Sequence, residues 1–375
     1  MGCAWQRQLP RPCLIVLAWL GWSVSLLPAQ EPLATLKAHA GQVCAMVFSH
    51  DGKRLFSGGA DGTVKLWDVA TRKIVKTFPS HRRGVCSVAL SPDGKTLAVG
   101  ALDPGSRDVK VTLVPFKLET IRETPTNAEI TLWDLAAGTE KVVVQVGSHT
   151  PWPLAFSRDG SSLISGGGPA VTPGGTGQAV KIWDVKSRRE TASHKGPPGE
   201  ENWVALTADG KCVAWGCPDG NVRVHNLVSG KQWTVQHAPP VVFVAFSADG
   251  KLLASARDDV KLWDATTAKE LAVLPSHRKG MGTYTLAFAP NSKILAAGSG
   301  LNKPGQKCYG GVVRIWDVRT GKLLAHLEGH KDSVQCFAFT SDGTVLASGS
   351  IDGTIALWRM PSPKAAEDSK TPAKK

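Results

Sequence analysis

The chain has 375 residues and a formal charge of +13, from 44 Lys and Arg against 31 Asp and Glu. That length suits two ordinary domains or one closed repeat array, so it sets no domain count by itself. The positive balance shrinks once Arg7, Arg11 and the basic tail are set aside. What remains fits an acidic partner or plain solubility equally well, and without a basic groove interleaved with aromatics it gives no reason to expect nucleic acid.

In chain order, Met1 to Gln30 comes first. Arg7 and Arg11 precede the apolar run Cys13 to Leu27, Pro28 follows, and Glu31 is the first acidic residue. This is the layout of a secretory signal peptide. The run is about 15 residues, short of the roughly 20 that a spanning helix needs. Cleavage near Ala29 or Gln30 would release an exported protein, periplasmic or secreted, although Leu27 departs from the small-residue pattern expected there. An uncleaved segment would hold the protein at a membrane. Export permits disulfides, and Cys44, Cys86, Cys212, Cys217, Cys308 and Cys336 follow the segment. Cys212 and Cys217 share a predicted strand, where a rise of roughly 3.3 Å per residue puts them beyond the bridging limit of about 7 Å. Cys44 and Cys86 hold equivalent places in consecutive units, where small buried filler is the expected role and a bridge the alternative. No Cys/His spacing points to a metal, and no cofactor is expected.

From His39 onward the chain repeats. Asp61-Gly62-Thr63-Val64-Lys65-Leu66-Trp67-Asp68 has close copies ending at Trp133, Trp183, Trp263, Trp316 and Trp358, and a worn copy in Val222-Arg223-Val224-His225-Asn226. Each unit contains short apolar runs of β-branched and aromatic residues bounded by Asp-Gly, which reads as hairpin-linked strands. Asp51-Gly52, Asp93-Gly94, Asp159-Gly160, Asp209-Gly210, Asp249-Gly250 and Asp342-Gly343 supply the positive-φ position of a tight turn, and Asn291-Ser292 takes that role in the sixth unit.

Periods near 42 residues with a Gly-His to Trp-Asp pattern resemble the WD-repeat β-propeller family over about Pro32 to Met360. The resemblance implies an all-β, seven-bladed β-propeller of four-stranded antiparallel blades spanning 31–360, after a signal peptide over 1–30 and before a disordered polar tail over 361–375. It also implies that each Trp lies on a third strand and is fastened through a second-strand Ser to a His at the blade entrance and a turn Asp. Trp67, Ser57, His39 and Asp61 match that pattern completely, as do Trp358, Ser348, His330 and Asp352. Such a network is structural rather than catalytic. Val99, Trp215 and Ala297 replace the Ser in the second, fourth and sixth units, which must rely on apolar packing. In the fifth, the shortened turn Arg257-Asp258-Asp259 puts the Asp contact in doubt. After Trp358 no outer strand remains, and Leu33 to Lys37 has no blade of its own, so the N-terminal strand is expected to close the ring.

The units carry insertions at Leu102 to Ala128, Pro169 to Gln178 and Leu301 to Gly310, all between second and third strands. In the family that turn and the loop opening each blade emerge on one face, and insertions confined to one face mark a binding face. The longest holds Val109 to Leu118, which could pack locally or present Phe116 and Lys117 to a partner. The opening loops His81-Arg82-Arg83, His194-Lys195, His277-Arg278-Lys279 and His330-Lys331 bias that face positive. Candidate partner-binding residues are therefore Arg82, Arg83, Phe116, Lys117, Arg278, Lys279 and Lys331. The expected function is that of a monomeric, exported, rigid platform for protein partners, acidic ones included. The alternative is a carbohydrate or small-ligand binder or hydrolase at the mouth of the central channel. No enzyme is expected, because the inner strands Val43 to Phe48, Val85 to Leu90 and Val334 to Phe339 lack carboxylates. Asp68, Asp134, Asp184, Asp264 and Asp317, each following a signature Trp, are expected to close turns.

Overall fold

A computed structural model describes residues 30–78, 84–101, 128–147, 151–167, 179–196, 203–274, 281–301 and 310–361. The described strands are β1 (Ala34–Lys37); β2 (Val43–Phe48), β3 (Arg54–Gly59), β4 (Val64–Asp68) and β5 (Lys73–Phe78) in blade one; and β6 (Val85–Leu90), β7 (Thr96–Ala101), β8 (Ala128–Asp134) and β9 (Thr139–Gly147) in blade two. Blade three has β10 (Pro151–Phe156), β11 (Ser162–Gly167), β12 (Ala179–Asp184) and β13 (Glu190–Lys195), and blade four has β14 (Trp203–Leu206), β15 (Cys212–Gly216), β16 (Asn221–Asn226) and β17 (Gln232–Gln236). Blade five has β18 (Phe243–Phe246), β19 (Leu252–Ala256), β20 (Val260–Asp264) and β21 (Glu270–Leu274), and blade six has β22 (Met281–Phe288), β23 (Ile294–Leu301), β24 (Val312–Asp317) and β25 (Leu323–Glu328). Blade seven joins β26 (Val334–Phe339), β27 (Val345–Ser350) and β28 (Thr354–Arg359) to β1, so all seven sheets are four-stranded antiparallel meanders. Inner strands touch in a closed circuit from β2 through β6, β10, β14, β18 and β22 to β26 and back to β2.

Self-contained turns set the first hairpin of each blade. In blade one the Ser49 hydroxyl donates to Asp51 Oδ1 at 2.6 Å, that oxygen accepts the Lys53 N–H at 3.0 Å, and Gly52 takes φ 69°. The Ser157 hydroxyl and the Ser161 N–H hold the equivalent Asp159 down at about 2. Blade six makes the same turn with Ser292 at φ 57° and Asn291 Oδ1 accepting the Lys293 N–H at 2.9 Å, as its sequence suggests. The carboxylates after the signature Trp close the next turns: Asp68 accepts the Thr71 N–H at 2.8 Å, and Asp317 accepts that of Thr320 at 2.7 Å.

The N-terminal strand closes the ring. Register runs from Ala34 opposite Leu357 to Lys37 opposite Thr354, and the Leu33 N–H donates to the Leu357 carbonyl at 2.7 Å. Upstream, the Gln30 N–H reaches the His326 carbonyl at 3.0 Å, so the segment also grips the outer strand of blade six.

Apolar seams join the blades. In each, the third-strand Trp shares a core cluster with an apolar residue on the outer strand of the preceding blade. These pairs are Leu36 with Trp67, Phe78 with Trp133, Val144 with Trp183, Val235 with Trp263, Leu274 with Trp316 and Leu327 with Trp358. Phe78 and Trp133 meet edge to face at 5.2 Å. Burying an indole removes on the order of 200 Å² from water, roughly 5 kcal/mol as an upper estimate. The seam from blade three to blade four has His225 in place of the third-strand Trp, and its core cluster holds Trp215 of the second strand instead.

Candidate interaction face

The fastening networks come first, because they contain the Ser, His and Asp that resemble catalytic groups. In blade one Trp67 Nε1 donates to Ser57 Oγ at 2.9 Å, Ser57 Oγ lies 2.9 Å from His39 Nε2, and His39 Nδ1 lies 3.0 Å from Asp61 Oδ1. Asp61 only accepts, so Nδ1 carries the proton and the Ser57 hydroxyl donates to bare Nε2. Burial lowers the His39 pKa, in keeping with a neutral ring. Burial alone would raise Asp61, but bonds from the Thr63 hydroxyl and N–H and from the Ala40 N–H bring it below the ordinary value. Ser57 is fully buried with its oxygen already occupied by the indole, which leaves no position for a substrate.

Blade seven repeats the device with a variation. Trp358 Nε1 and His330 Nε2 each lie 2.7 Å from Ser348 Oγ, but His330 Nδ1 meets Thr354 Oγ1 at 3.0 Å and stands 3.6 Å from Asp352. Asp352 instead accepts from the Thr354 hydroxyl at 2.6 Å and from the Lys331 N–H at 2.7 Å. Blade five corrects the sequence expectation. Asp259 of the shortened turn lies 2.9 Å from His237 Nε2, His237 Nδ1 lies 3.4 Å from Ser255 Oγ, and Trp263 donates to that oxygen at 2.9 Å. Blade three keeps the bond from Trp183 to Ser165 at 2.9 Å. In blade six Ala297 offers nothing, and the buried Trp316 Nε1 has no hydrogen-bond partner among the described residues.

An antiparallel meander of four strands places the start of the first strand and the link between second and third strands on one face. The insertions are anchored there. Residues 102–127 join β7 to β8, 168–178 join β11 to β12, and 302–309 join β23 to β24. On that face the inner strands carry register shifts around Cys44, Cys86, Trp152-Pro153, Tyr284 and Gln335. Bulges of this kind re-aim side chains beside functional sites. Trp152, Trp203 and Phe243, near the starts of β10, β14 and β18, converge as a half-buried aromatic cluster. Trp203 and Phe243 stack at 4.4 Å and 28°, and Trp152 meets Trp203 edge to face at 4.8 Å. Elsewhere on the inner strands, Tyr284 is buried with its hydroxyl unpartnered among the described residues, and burial aided by Asp258 and Asp332 raises its pKa. Gln42 and Gln335 leave their Nε2 atoms unpartnered in the same sense.

Nucleophilic chemistry at Cys44 and Cys86 is disfavoured, and Cys308 lies outside the described residues. Cys44, Cys86, Cys212, Cys217 and Cys336 are free thiols, and burial pushes Cys44 and Cys86 up to about 12, far from the thiolate a nucleophile needs. Among the described residues no group of three or more His, Cys, Asp or Glu side chains could hold a metal.

Of the sequence-derived contact residues, Lys331 is exposed at the mouth of blade seven with its N–H bound to Asp352. Arg82, Arg83, Phe116, Lys117, Arg278 and Lys279 lie outside the described residues. His194 and Lys195 are not in an opening loop: they belong to β13, because pairing of Ala179 with Lys195 carries the outer strand further than the sequence suggested. The aromatic cluster and His237 were missed. Their signal was an aromatic residue or His at the start of a blade, visible once the register is known.

A profile described as "WD domain, G-beta repeat" matches residues 30–68, 72–108, 230–264, 268–317 and 321–359. The chain is 23% identical to WD repeat-containing protein 26 homolog of Arabidopsis thaliana over 87% of its own length and 50% of the relative's. It is 25% identical to Autophagy-related protein 16 of Arabidopsis thaliana over 86% of its length and 57% of the relative's. It is 26% identical to Guanine nucleotide-binding protein subunit beta-5b of Danio rerio over 86% of its length and 75% of the relative's. The chain thus spans only about half the length of the first two of these curated relatives. With matched repeats over more than half its length and seven closed four-stranded sheets, this chain belongs to the WD-repeat propeller family.

Proposed function

We propose that the propeller is an exported, rigid, non-enzymatic platform for protein partners. It would engage them through the face that carries the blade-opening loops and the segments 102–127, 168–178 and 302–309. Membership in a family whose members typically serve as interaction scaffolds supports the broad reading. The observation that carries the choice of face is the half-buried cluster of Trp152, Trp203 and Phe243 at the starts of three neighbouring inner strands. Rigid aromatic side chains offer large contact area at low entropic cost and dominate the centres of interfaces. Arg82, Arg83, Arg278, Lys279 and Lys331 would surround that centre with positive charge and suit an acidic flank on the partner. The signal-like Met1 to Gln30 supports export, with anchorage to a membrane only if that segment is retained.

Affinity capture from the exported fraction tests the reading. Intact protein should retain a specific partner, whereas a chain lacking 102–127 and a separate Trp203→Ser chain, both melting like wild type, should lose it. Equal capture by all three sinks the choice of face. A carbohydrate or small ligand at the channel mouth is the second reading, favoured by the stacked aromatics with the unpartnered Gln42 and Gln335 amides on the same inner ring. Tryptophan fluorescence quenched by an oligosaccharide, with no protein captured, would favour it instead.

A further inference from the structure

The seam between blades three and four departs from the other seams at both of its matching positions. On outer strands, Phe78 pairs with Val64, Leu274 with Val260 and Leu327 with Val313, and at the same register His194 pairs with Val180. On third strands, Trp67 stands opposite Leu55 and Trp263 opposite Leu253, and at that register His225 stands opposite Val213. Everywhere else an apolar side chain meets an indole. Here two imidazoles meet, with ring centres 6.0 Å apart and planes at 89°.

Neither imidazole makes a hydrogen bond with a described residue, although both rings are only partly buried. Simple erosion of the seam would leave one apolar partner in place, and a structural hydrogen-bond pair would show a bond between the rings. Imidazole nitrogens bind zinc at about 2.0–2.1 Å, which places the centres of two rings sharing one ion roughly 5–6 Å apart.

We propose that His194 and His225 form a two-imidazole site for a divalent transition-metal ion of the class that favours imidazole, namely zinc, nickel or copper(II). Water completes the coordination, since no third His, Cys, Asp or Glu joins them among the described residues. The ion clips the outer strand of blade three to the third strand of blade four, at the one seam without a signature Trp. Its effect is therefore structural and is independent of the contact face.

The test uses the untagged full chain stripped with EDTA and titrated calorimetrically with Ni²⁺ and Zn²⁺ at neutral pH. The expected result is binding of one ion per chain at this site, with a rise of a few degrees in the melting midpoint. His225→Trp and His194→Leu place at this seam the residues found at the others, so each should fold and each should abolish that binding and the rise. A copper(II) resonance spectrum of the wild type gives a readout that does not depend on the variants, and it should report two nitrogen ligands. Absence of binding, undiminished binding in both variants, or a spectrum with fewer than two imidazole nitrogens overturns the proposal.

Discussion

Trp67 in blade one and Trp316 in blade six hold the same register position, opposite Leu55 and Leu295, and both are sealed from solvent. Around Trp67 a Ser, a His and an Asp satisfy every polar atom in turn, while the Trp316 N–H is buried beside Ala297 with no described partner. Both blades nonetheless form complete four-stranded sheets. The comparison teaches that apolar seams are sufficient to build a blade and that the polar network is an added fastening. Its removal should cost more than its absence, because a hydrogen bond left unmade in a buried site is penalised beyond its modest net value.

The largest expected effect removes closure altogether. Deleting 30–37 strips β28 of its outer partner and Leu36 from the seam with Trp67, so the single cooperative melting transition should broaden or split. A sharp transition at the original midpoint would show that the ring does not depend on this strand. Next comes Ser57→Ala, which leaves the Trp67 N–H and His39 Nε2 without partners. It should cost roughly 2–4 kcal/mol by urea denaturation. Ala297→Ser gives the Trp316 N–H the acceptor that the other blades provide and should stabilise by about 1 kcal/mol. If both substitutions proved neutral, the fastening account would fail.

Acid dependence gives the smallest effect. The His39 and His237 pKa values are lowered by burial, so below the ordinary value of 6.5 the unfolded chain binds protons that the folded chain refuses. Their contribution is present above that pH and declines as pH falls from 6.5 toward the folded values. Asp61 and Asp352 lie below 3.8 in the fold, so their contribution persists above that value and is lost only as pH falls further. Stability followed from pH 7.5 down to 5 should therefore decline, and His39→Gln should flatten part of that slope. An unchanged slope would mean that the buried ring is not the source.

Much of this was legible in the chain because the repeat is local. Trp-Asp and Asp-Gly mark strand ends within a few residues, so the sheets, the Ser292 turn and the closing strand could be read directly. His237 was not, because the shortened turn at Arg257-Asp258-Asp259 leaves the Asp contact in doubt, yet Asp259 reaches the ring at 2.9 Å. Trp152, Trp203 and Phe243 lie in separate units, and nothing in a one-unit pattern shows that the starts of three inner strands converge. His194 was assigned to a loop because blade three's outer strand extends to Lys195, a boundary set by pairing with Ala179 rather than by composition.

The central claim is that the Ser, His and Asp groups fasten the blades while contact resides at the aromatic face. One measurement addresses both halves: partner capture by Trp203→Ser and by Ser57→Ala, each read against its own melting curve. The account predicts that Trp203→Ser loses the partner at an unchanged midpoint, and that Ser57→Ala lowers the midpoint while still capturing the partner below it. Loss of the partner with Ser57→Ala at an unchanged midpoint, and its retention with Trp203→Ser, would contradict it.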